Sequence, residues 1–218
     1  MGNKEIEKSD FVRKMVTEHY APVAHITRFG MKQVYQIILA DRTMIKARIS
    51  PHNPSYNRLH QYLVDNGMRL PKILKVIEAS ESRAITLTEW IDGVCHNNAI
   101  NDREYLVSIP DRHYELMGEY LSALENFTFD GLRVSVHNLV WPQFVVSEDK
   151  MWLIDSEILY ADGDPERWII YEIICHPYTT ESQKRSFIEG YAAKYDRRDF
   201  SMGMKMTELF IKKLRSKQ

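Results

Sequence analysis

The chain has 218 residues, of which 44% are hydrophobic and 27% charged, a composition typical of a globular protein with one large domain or two small lobes. Its 29 basic and 30 acidic side chains nearly cancel, so charge gives no support for nucleic-acid binding. No apolar run approaches the length of a membrane span, and from the polar N-terminus we expect no signal peptide. Cys95 and Cys175 are far apart and lack metal-site spacing, so we expect a reducing, cytoplasmic location.

The first half of the chain is predicted to contain a leading helix and then five strands with one inserted helix. Apolar residues at helical spacing favour the leading helix over Glu5–Thr17. The inserted helix is predicted over Pro54–Asp65, and Asn66-Gly67 is a typical helix end. Turn residues separate the predicted strands, which are Val23–Arg28, Val34–Leu39, Thr43–Ile49, Lys72–Glu78 and Arg83–Trp90.

The second half is predicted to be mainly helical, with one small hairpin. A long helix over Arg112–Asn126 precedes a loop and a hairpin. Asp164-Pro165 is a good helix start, because Asp caps free N–H groups and Pro suits the first turn. Three helices are therefore expected after the hairpin, over Pro165–Cys175, Glu181–Tyr195 and Phe200–Arg215.

This order of elements predicts an α+β, two-lobed, protein-kinase-like fold. Its N-terminal lobe (1–90) would hold the leading helix, a five-stranded antiparallel sheet and the inserted helix. Its C-terminal lobe (91–218) would be mainly helical and would carry the catalytic-loop hairpin. The hinge between the lobes is expected near Glu89–Gly93.

The stretch 132–155 resembles a kinase catalytic loop and metal-binding strand. Kinase-like enzymes place Asp, four spacers and Asn on this loop, followed by a hairpin that ends in two hydrophobic residues and Asp. Here Asp155 ends the hairpin, while Asn138 and Gln143 occupy the two loop positions. We therefore interpret Asn138 as the residue at the catalytic position and predict Asp155 and Gln143 as metal ligands.

The catalytic acid is missing from this loop in any register. A gapped register would put Leu139 and Phe144 at the two loop positions, which is chemically worse. No Asp or Glu occurs between Gly131 and Ser147. His137 is the titratable candidate near neutral pH on the loop, and it is the alternative catalytic residue.

Lys46 and Asp155 are the candidate groups for a nucleotide and its metal. In a kinase-like site, a Lys late in the third strand neutralises the nucleotide phosphates. Arg48 competes for this role, because residues two apart on a strand share a face. A carboxylate at the end of a buried strand suits Mg²⁺, which prefers oxygen ligands. The alternatives are a solvent-facing Lys and a turn-capping Asp.

Two main-chain segments would complete a nucleotide site. Gly30, in Arg28–Gln33, would form a flap over the phosphates, although any hairpin can use one glycine. Adenine would be bound at the hinge by the carbonyl of Glu89 and the N–H of Ile91. Both interpretations depend on the kinase-like order of elements.

The chain resembles the aminoglycoside and choline phosphotransferases, the small-molecule branch of the protein-kinase-like superfamily. The resemblance covers roughly residues 20–195. It implies a cleft for ATP and Mg²⁺ between two lobes, with Lys46 and Asp155 as their ligands, and an acceptor site over the helical lobe. The residues that carry it are Ile45-Lys46, Arg69–Leu74, Thr88–Val94, Val136–Val146, Leu153–Asp155, Gly163–Pro165 and Phe187–Tyr191.

The departures from the family pattern leave two functions open. Besides the loop changes, the Glu expected on the inserted helix is missing, with Asn57 near its place, and Arg167 replaces an Asp. One hypothesis is a pseudokinase that binds nucleotide and acts through a protein partner. The other is an active ATP-dependent phosphotransferase acting on a small hydroxylated molecule or a protein. The sequence alone does not decide whether the chain is an enzyme.

Overall fold

The computed structural model describes residues 2–29, 33–100, 102–136, 140–155, 158–161 and 178–192. They form two compact units. The first lies within Met1–Gln61 and Pro71–Ile91, and the second within Tyr62–Leu70 and Asp92–Gln218. The predicted helices Pro165–Cys175 and Phe200–Arg215 fall outside the described residues. Among the described residues, no helix is both long and apolar enough to cross a membrane.

The first unit is built on a five-stranded sheet in the order β1-β2-β3-β5-β4. Every neighbouring pair of strands is antiparallel, as predicted. Helix α1 (Gly2–His19) precedes the sheet and includes the predicted leading helix. The strands are β1 (Val23–Phe29), β2 (Val34–Leu39), β3 (Met44–Pro51), β4 (Ile73–Ser80) and β5 (Arg83–Glu89).

The core of the first unit lies between α1 and one face of this sheet. Val12 and Val16, four residues apart on α1, are fully buried there. Alternate strand residues point to this face, and each buried aliphatic side chain contributes about 1.5–3 kcal/mol relative to exposure. The buried strand residues are Tyr35, Ile37, Leu39, Ile45, Ala47, Ile77, Ile85 and Leu87.

Helix α2 (Pro54–Asp65) has the predicted bounds. The side chain of Asn53 accepts a hydrogen bond from the N–H of Tyr56 at 3.1 Å, which caps the helix start. Gly67 ends the helix with a φ of +88°, a left-handed conformation that glycine adopts without strain. The predicted stop at Asn66-Gly67 is therefore confirmed.

The second unit contains three described helices. Helices α4 (Asp111–Leu124) and α5 (Glu181–Ala192) were predicted, although residues 193–195 of the predicted α5 lie outside the described residues. Helix α3 (Arg103–Ser108) was not predicted, because its six residues are too few to show a hydrophobic period. Asp102 caps α3 by accepting a hydrogen bond from the N–H of Tyr105.

Helices α4 and α5 pack with their backbones unusually close. A Cβ atom at Gly118 of α4 would lie 2.2 Å from the carbonyl oxygen of Phe187. One at Gly190 of α5 would lie 2.0 Å from the carbonyl oxygen of Glu115. Neither distance is possible for a real Cβ, so this crossing requires glycine on both helices.

Gln183 of α5 adds a polar contact to the helical packing. Its side chain is 1% exposed. The amide nitrogen donates to the carbonyl oxygens at the end of α3, on Leu106, Val107 and Ile109, at 3.1, 3.2 and 2.8 Å. Its amide oxygen accepts a hydrogen bond from the N–H of Thr180, which caps α5. The side chain of Gln183 thus supplies hydrogen-bond partners both to the carbonyl groups at the end of α3 and to an N–H group at the start of α5.

Five short strands complete the described part of the second unit. They form a three-stranded sheet in the order β10-β7-β6 and the hairpin β8-β9. The hairpin was predicted, whereas the three-stranded sheet was not, since two of its strands have only two or three residues. The strands are β6 (Thr128–Phe129), β7 (Leu132–Val136), β8 (Phe144–Ser147), β9 (Lys150–Leu153) and β10 (Leu159–Ala161).

Candidate functional site

Lys46 lies on the sheet face opposite the core of the first unit. Its neighbours Ile45 and Ala47 are fully buried, so alternation places Lys46 on the other face. Gln36 of β2 and Thr88 of β5 lie directly across from it. Arg48 shares this face two residues further on. The sheet therefore presents two cations, Lys46 and Arg48, next to each other.

A buried histidine of α2 lies close to Lys46. His60 is 1% exposed, and its Nε2 lies 2.8 Å from the carbonyl oxygen of Pro71. Burial lowers the pKa of His60, the bond to Pro71 acts against this, and the positive charge of Lys46 lowers it further. Helix α2 therefore contributes a neutral imidazole near the lysine. From the sequence, Asn57 was the residue of this helix that had been compared with the family pattern.

Trp90 and Phe29 meet on the Lys46 face. By strand alternation and register, Phe29 at the end of β1 and Trp90 just after β5 both point to this face. Their ring centroids are 5.7 Å apart, although two strands separate β1 from β5. The aromatic pair therefore joins the end of the predicted flap strand to the predicted hinge. Gly30 itself lies outside the described residues.

The predicted hinge begins where β5 ends. The N–H of Glu89 donates to the carbonyl of Lys72 at 3.1 Å, and its side chain accepts a bond from the N–H of Lys72 at 3.1 Å. Glu89 is thereby fixed against the residue that precedes β4. The adenine-binding roles of the Glu89 carbonyl and the Ile91 N–H stay predictions.

The hairpin that leads to Asp155 is anchored to helix α4. Glu148 and Asp149 have φ values of 50° and 55°, as a two-residue hairpin turn with positive φ at both positions requires. Arg112 of α4 donates two hydrogen bonds to the carboxylate of Asp149, at 3.0 and 2.7 Å. This pairing lowers the pKa of Asp149 and raises that of Arg112. The exposed turn is thus held by a two-point ionic contact.

Gln143 and Asp155, the two predicted metal ligands, lie together at the base of the hairpin. The carbonyl oxygen of Gln143 accepts hydrogen bonds from the N–H groups of Ile154 and Asp155, at 2.8 and 3.3 Å. Both side chains are buried, with 6% and 9% of their surfaces exposed. The amide oxygen of Gln143 also accepts a bond from the N–H of Val140 at 2.9 Å. A carbonyl oxygen has two lone pairs, so this bond leaves one for a cation.

Arg69 holds the strand that delivers Asp155. Its side-chain Nε donates to the carbonyl of Met151 at 3.0 Å, and its own carbonyl accepts the N–H of Leu153 at 3.2 Å. The guanidinium also lies over the ring of Tyr120, 6.0 Å from the centroid. Arg69 was noted in the sequence only as part of a family segment. Its positioning role needed a contact across 82 residues, which sequence spacing does not reveal.

The two candidate catalytic residues, His137 and Asn138, lie outside the described residues. Across the residues that are described, no group of three or more His, Cys, Asp or Glu side chains could hold a metal ion. A Mg²⁺ ion bound mainly by phosphates needs only one or two protein carboxylates, so the Asp155 prediction does not require such a group.

Comparison with known proteins identifies the fold. No family model and no curated protein matches the sequence. Among solved structures, an aminoglycoside phosphotransferase from Alicyclobacillus acidocaldarius aligns with a TM-score of 0.58 and 9% identity, over 83% of this chain and 76% of that one. An aminoglycoside-3'-phosphotransferase of type VIII gives a TM-score of 0.55 and 13% identity, over 89% and 96% of the two chains. The chain has the fold of the aminoglycoside phosphotransferases.

A third structure with this fold was solved with ligands. It is a thermostable mutant of an aminoglycoside phosphotransferase in a ternary complex with AMP-PNP and hygromycin B. It aligns with a TM-score of 0.53 and 10% identity, over 88% of this chain and 83% of that one. The phosphotransferase fold confirms the α+β, protein-kinase-like architecture predicted from the sequence. At these identities, the likeness is one of fold.

Proposed function

We propose that this protein is a nucleotide-binding pseudokinase: it keeps the phosphate and metal ligands of a kinase-like site and acts by binding a partner. The observation that carries the proposal is the chemistry of the loop that precedes the hairpin. Its catalytic position holds Asn138, and no carboxylate occurs between Gly131 and Ser147. Lys46, within β3, and Asp155, just after β9, are nevertheless present.

The residues present suit a nucleotide with one magnesium ion. Lys46 and Arg48 on one sheet face would neutralise phosphate oxygens. The Asp155 carboxylate and the second lone pair of the Gln143 amide oxygen form an oxygen donor set of low charge, which suits Mg²⁺ whose remaining ligands are phosphates and water. The ion would supply charge neutralisation on the phosphates.

The missing acid argues against efficient phosphoryl transfer. An amide cannot accept a proton at neutral pH, so Asn138 could orient a hydroxyl but could not act as its base. General-base assistance is typically worth 10²–10⁴-fold in rate. A site that binds the nucleotide without this group would act as a binding module, whose partner is a protein or a small molecule still to be identified.

The alternative is an active phosphotransferase that uses ATP to modify a small hydroxylated molecule or a protein. The specific observation in its favour is that the similar solved structures are described as phosphotransferases, one of them with a nucleotide analogue and an aminoglycoside bound. In phosphoryl transfer, positioning and charge neutralisation supply much of the catalysis. His137, next to Asn138, would then accept the proton of the attacking hydroxyl group.

Nucleotide binding tests the part that both functions share. ATP with Mg²⁺ is expected to raise the thermal unfolding temperature, and calorimetry would give the Kd. Lys46→Ala and Asp155→Asn should each weaken binding about tenfold or more, since each removes a charged contact worth about 1.5–3 kcal/mol. Lys75→Ala and Asp130→Asn, at exposed sites, are the matched controls. If no nucleotide shifts the unfolding temperature, with or without Mg²⁺, both functions are wrong.

Turnover assays separate the two functions. The pseudokinase proposal predicts no phosphate transfer from ATP to a panel of hydroxylated acceptors, and a gain of transfer in Asn138→Asp. Turnover in the parent protein that disappears in Asp155→Asn and in His137→Gln would establish the phosphotransferase instead.

A further inference from the structure

A pair of histidines, His96 buried and His113 half-buried, lies beside the segment Val140–Gln143 in the second unit. His96 is 5% exposed, and its ring packs edge-on against Trp141, with centroids 5.0 Å apart. Trp141 packs in turn against Tyr114 of α4, at 4.9 Å. Neither the family resemblance nor the proposed function uses these side chains.

Both ring nitrogens of His96 are hydrogen bonded. Its Nδ1 lies 3.0 Å from the hydroxyl of Tyr105 on α3. Its Nε2 lies 2.8 Å from Nδ1 of His113 in the first turn of α4. The result is a continuous chain, Tyr105–His96–His113, which links two helices through one imidazole.

The segment Val94–His96 contacts the loop and the hairpin at three points. Val94 exchanges two backbone hydrogen bonds with Val146 of β8, each 2.9 Å long. The Cys95 sulfur lies 3.7 Å from the carbonyl oxygen of Pro142. His96 contributes the third point through the Trp141 ring. The position of Val140–Gln143, and with it the Gln143 carbonyl that accepts the N–H of Asp155, is therefore coupled to the histidine chain.

The hydrogen-bonded chain Tyr105–His96–His113 can take up one extra proton without losing a hydrogen bond, but it cannot take up two. With both imidazoles neutral, one proton lies between His96 Nε2 and His113 Nδ1. One added proton leaves that bond intact, because the charged ring donates and the neutral ring accepts. A second added proton makes both nitrogens donors with like charges, so the bond is lost.

The surroundings favour placing the first proton on His113. Burial lowers the pKa of His113, and the nearby Asp149 acts against this. Burial and then the charge of His113 lower the pKa of His96 to about 4. The titratable and charged groups around the pair come from the hairpin turn, α3, α4 and the His96 segment itself: Asp149, Tyr105, Asp111, Arg112, Tyr114, Glu115 and Cys95.

We propose that His96 and His113 form a positioning pair that holds the segment Val140–Gln143 in place, that tolerates one added proton, and that releases the segment when the second proton binds. The inference depends on the geometry of the second unit and not on nucleotide binding. It makes the candidate metal-binding end of the hairpin sensitive to acid, whereas the backbone contact at Gly118 and Gly190 involves no titratable group.

Amide hydrogen exchange of the full-length chain tests this pair directly. In the parent protein, the protection factors of the Val140 and Gln143 amides should fall about tenfold per pH unit as the pH is lowered from about 6 towards 4. The Thr180 amide, bonded to Gln183, should keep its protection over the same range. Protection factors corrected for intrinsic exchange rates give the comparison at each pH.

Two substitutions of His113 make the test specific. His113→Asn places an amide where Nδ1 lies and cannot take up a proton. A protonated His96 can still donate to that amide oxygen, so protection at Val140 and Gln143 should fall clearly less steeply below pH 6 than in the parent, and only the effect of burying His96 should remain. His113→Ala removes the partner of His96 and should lower that protection at least threefold already at pH 7. A pH response in His113→Asn equal to the parent's would overturn the proposal. So would a parent protein whose Val140 and Gln143 protection does not change with pH.

Discussion

The second unit contains two supports that differ in chemistry. The crossing of α4 and α5 depends on backbone contact at Gly118 and Gly190, with hydrogen bonds from Ser182 to Asp111 and from Tyr191 to Glu125 beside it. The uncharged amide of Gln183 joins α5 to the end of α3. The segment Val140–Gln143 depends instead on polar contacts, several of them titratable: the His96–His113 pair, and the Arg112–Asp149 contact that anchors the hairpin.

The difference separates a fixed scaffold from an adjustable site. Close packing has one arrangement and no protonation state, so solution conditions change it little. Hydrogen bonds to imidazoles and carboxylates change with pH and with bound charge. The region predicted to bind a metal is thus held by the adjustable kind of contact, whereas the backbone contact at Gly118 and Gly190 is of the fixed kind.

Substitution of a crossing glycine should have the largest effect. Gly118→Ala puts a Cβ within 2.2 Å of the Phe187 carbonyl, and we expect a loss of about 3–5 kcal/mol in unfolding free energy, despite alanine's better helix propensity. Denaturant unfolding measures the change. Gly131→Ala is the control, because its Cβ meets no atom within 4 Å and its cost is the strain of a positive φ alone, about 1 kcal/mol. Equal losses in the two variants would contradict the close crossing.

Replacement of Gln183 should have the next largest effect. Gln183→Met keeps the side-chain length but leaves the carbonyls at the end of α3 without their donor, at a cost of about 3 kcal/mol. Urea unfolding gives the value, and the loss should be independent of pH between 5 and 8. Lys184→Ala, which removes only an exposed ion pair with Glu181, should cost less than about 0.5 kcal/mol. If Gln183→Met leaves the unfolding free energy unchanged, water replaces the amide as the hydrogen-bond donor.

Mild acid should have the smallest effect on global stability. His60, His96 and His113 all have lowered pKa values in the folded chain, so the unfolded chain binds protons first as the pH drops below about 6.5. Stability is therefore lost on acidification, and for His96 the loss continues down to about pH 4. His96 alone should contribute about 2 kcal/mol between pH 6.5 and 5.

Unfolding free energies measured from pH 7.5 to 5 in the parent and in His113→Asn check this expectation. The variant should show a shallower slope than the parent. Stability that rises on acidification would mean that the histidines are not buried as neutral groups.

The fold could be predicted from the sequence because its signals are local. Alternation along β2 and β3, the Asn53 cap and the Gly67 stop each specify one element within a few residues. The order of those elements then resembled a known architecture closely enough to predict the sheet and the hairpin. Helix α3 and the strands β6 and β10 were missed because two to six residues are too few for a period.

The site could be predicted only in part, because its supports are distant in sequence. Asp155 and Gln143 were predicted as metal ligands from loop spacing; a backbone hydrogen bond joins the two residues, and their metal-binding role stays a prediction. Arg69, His60 and the His96–His113 pair act through contacts that span 11 to 82 residues. A lone histidine in an apolar helix face, such as His60 between Leu59 and Leu63, was the one signal available for that residue.

Gln143 fastens its own loop from within: its side chain caps Val140, and its carbonyl receives the chain at Ile154 and Asp155. These hydrogen bonds form within the chain and do not require a bound ligand. Part of the order at this end of the hairpin therefore comes from the contacts of a single residue with its own chain.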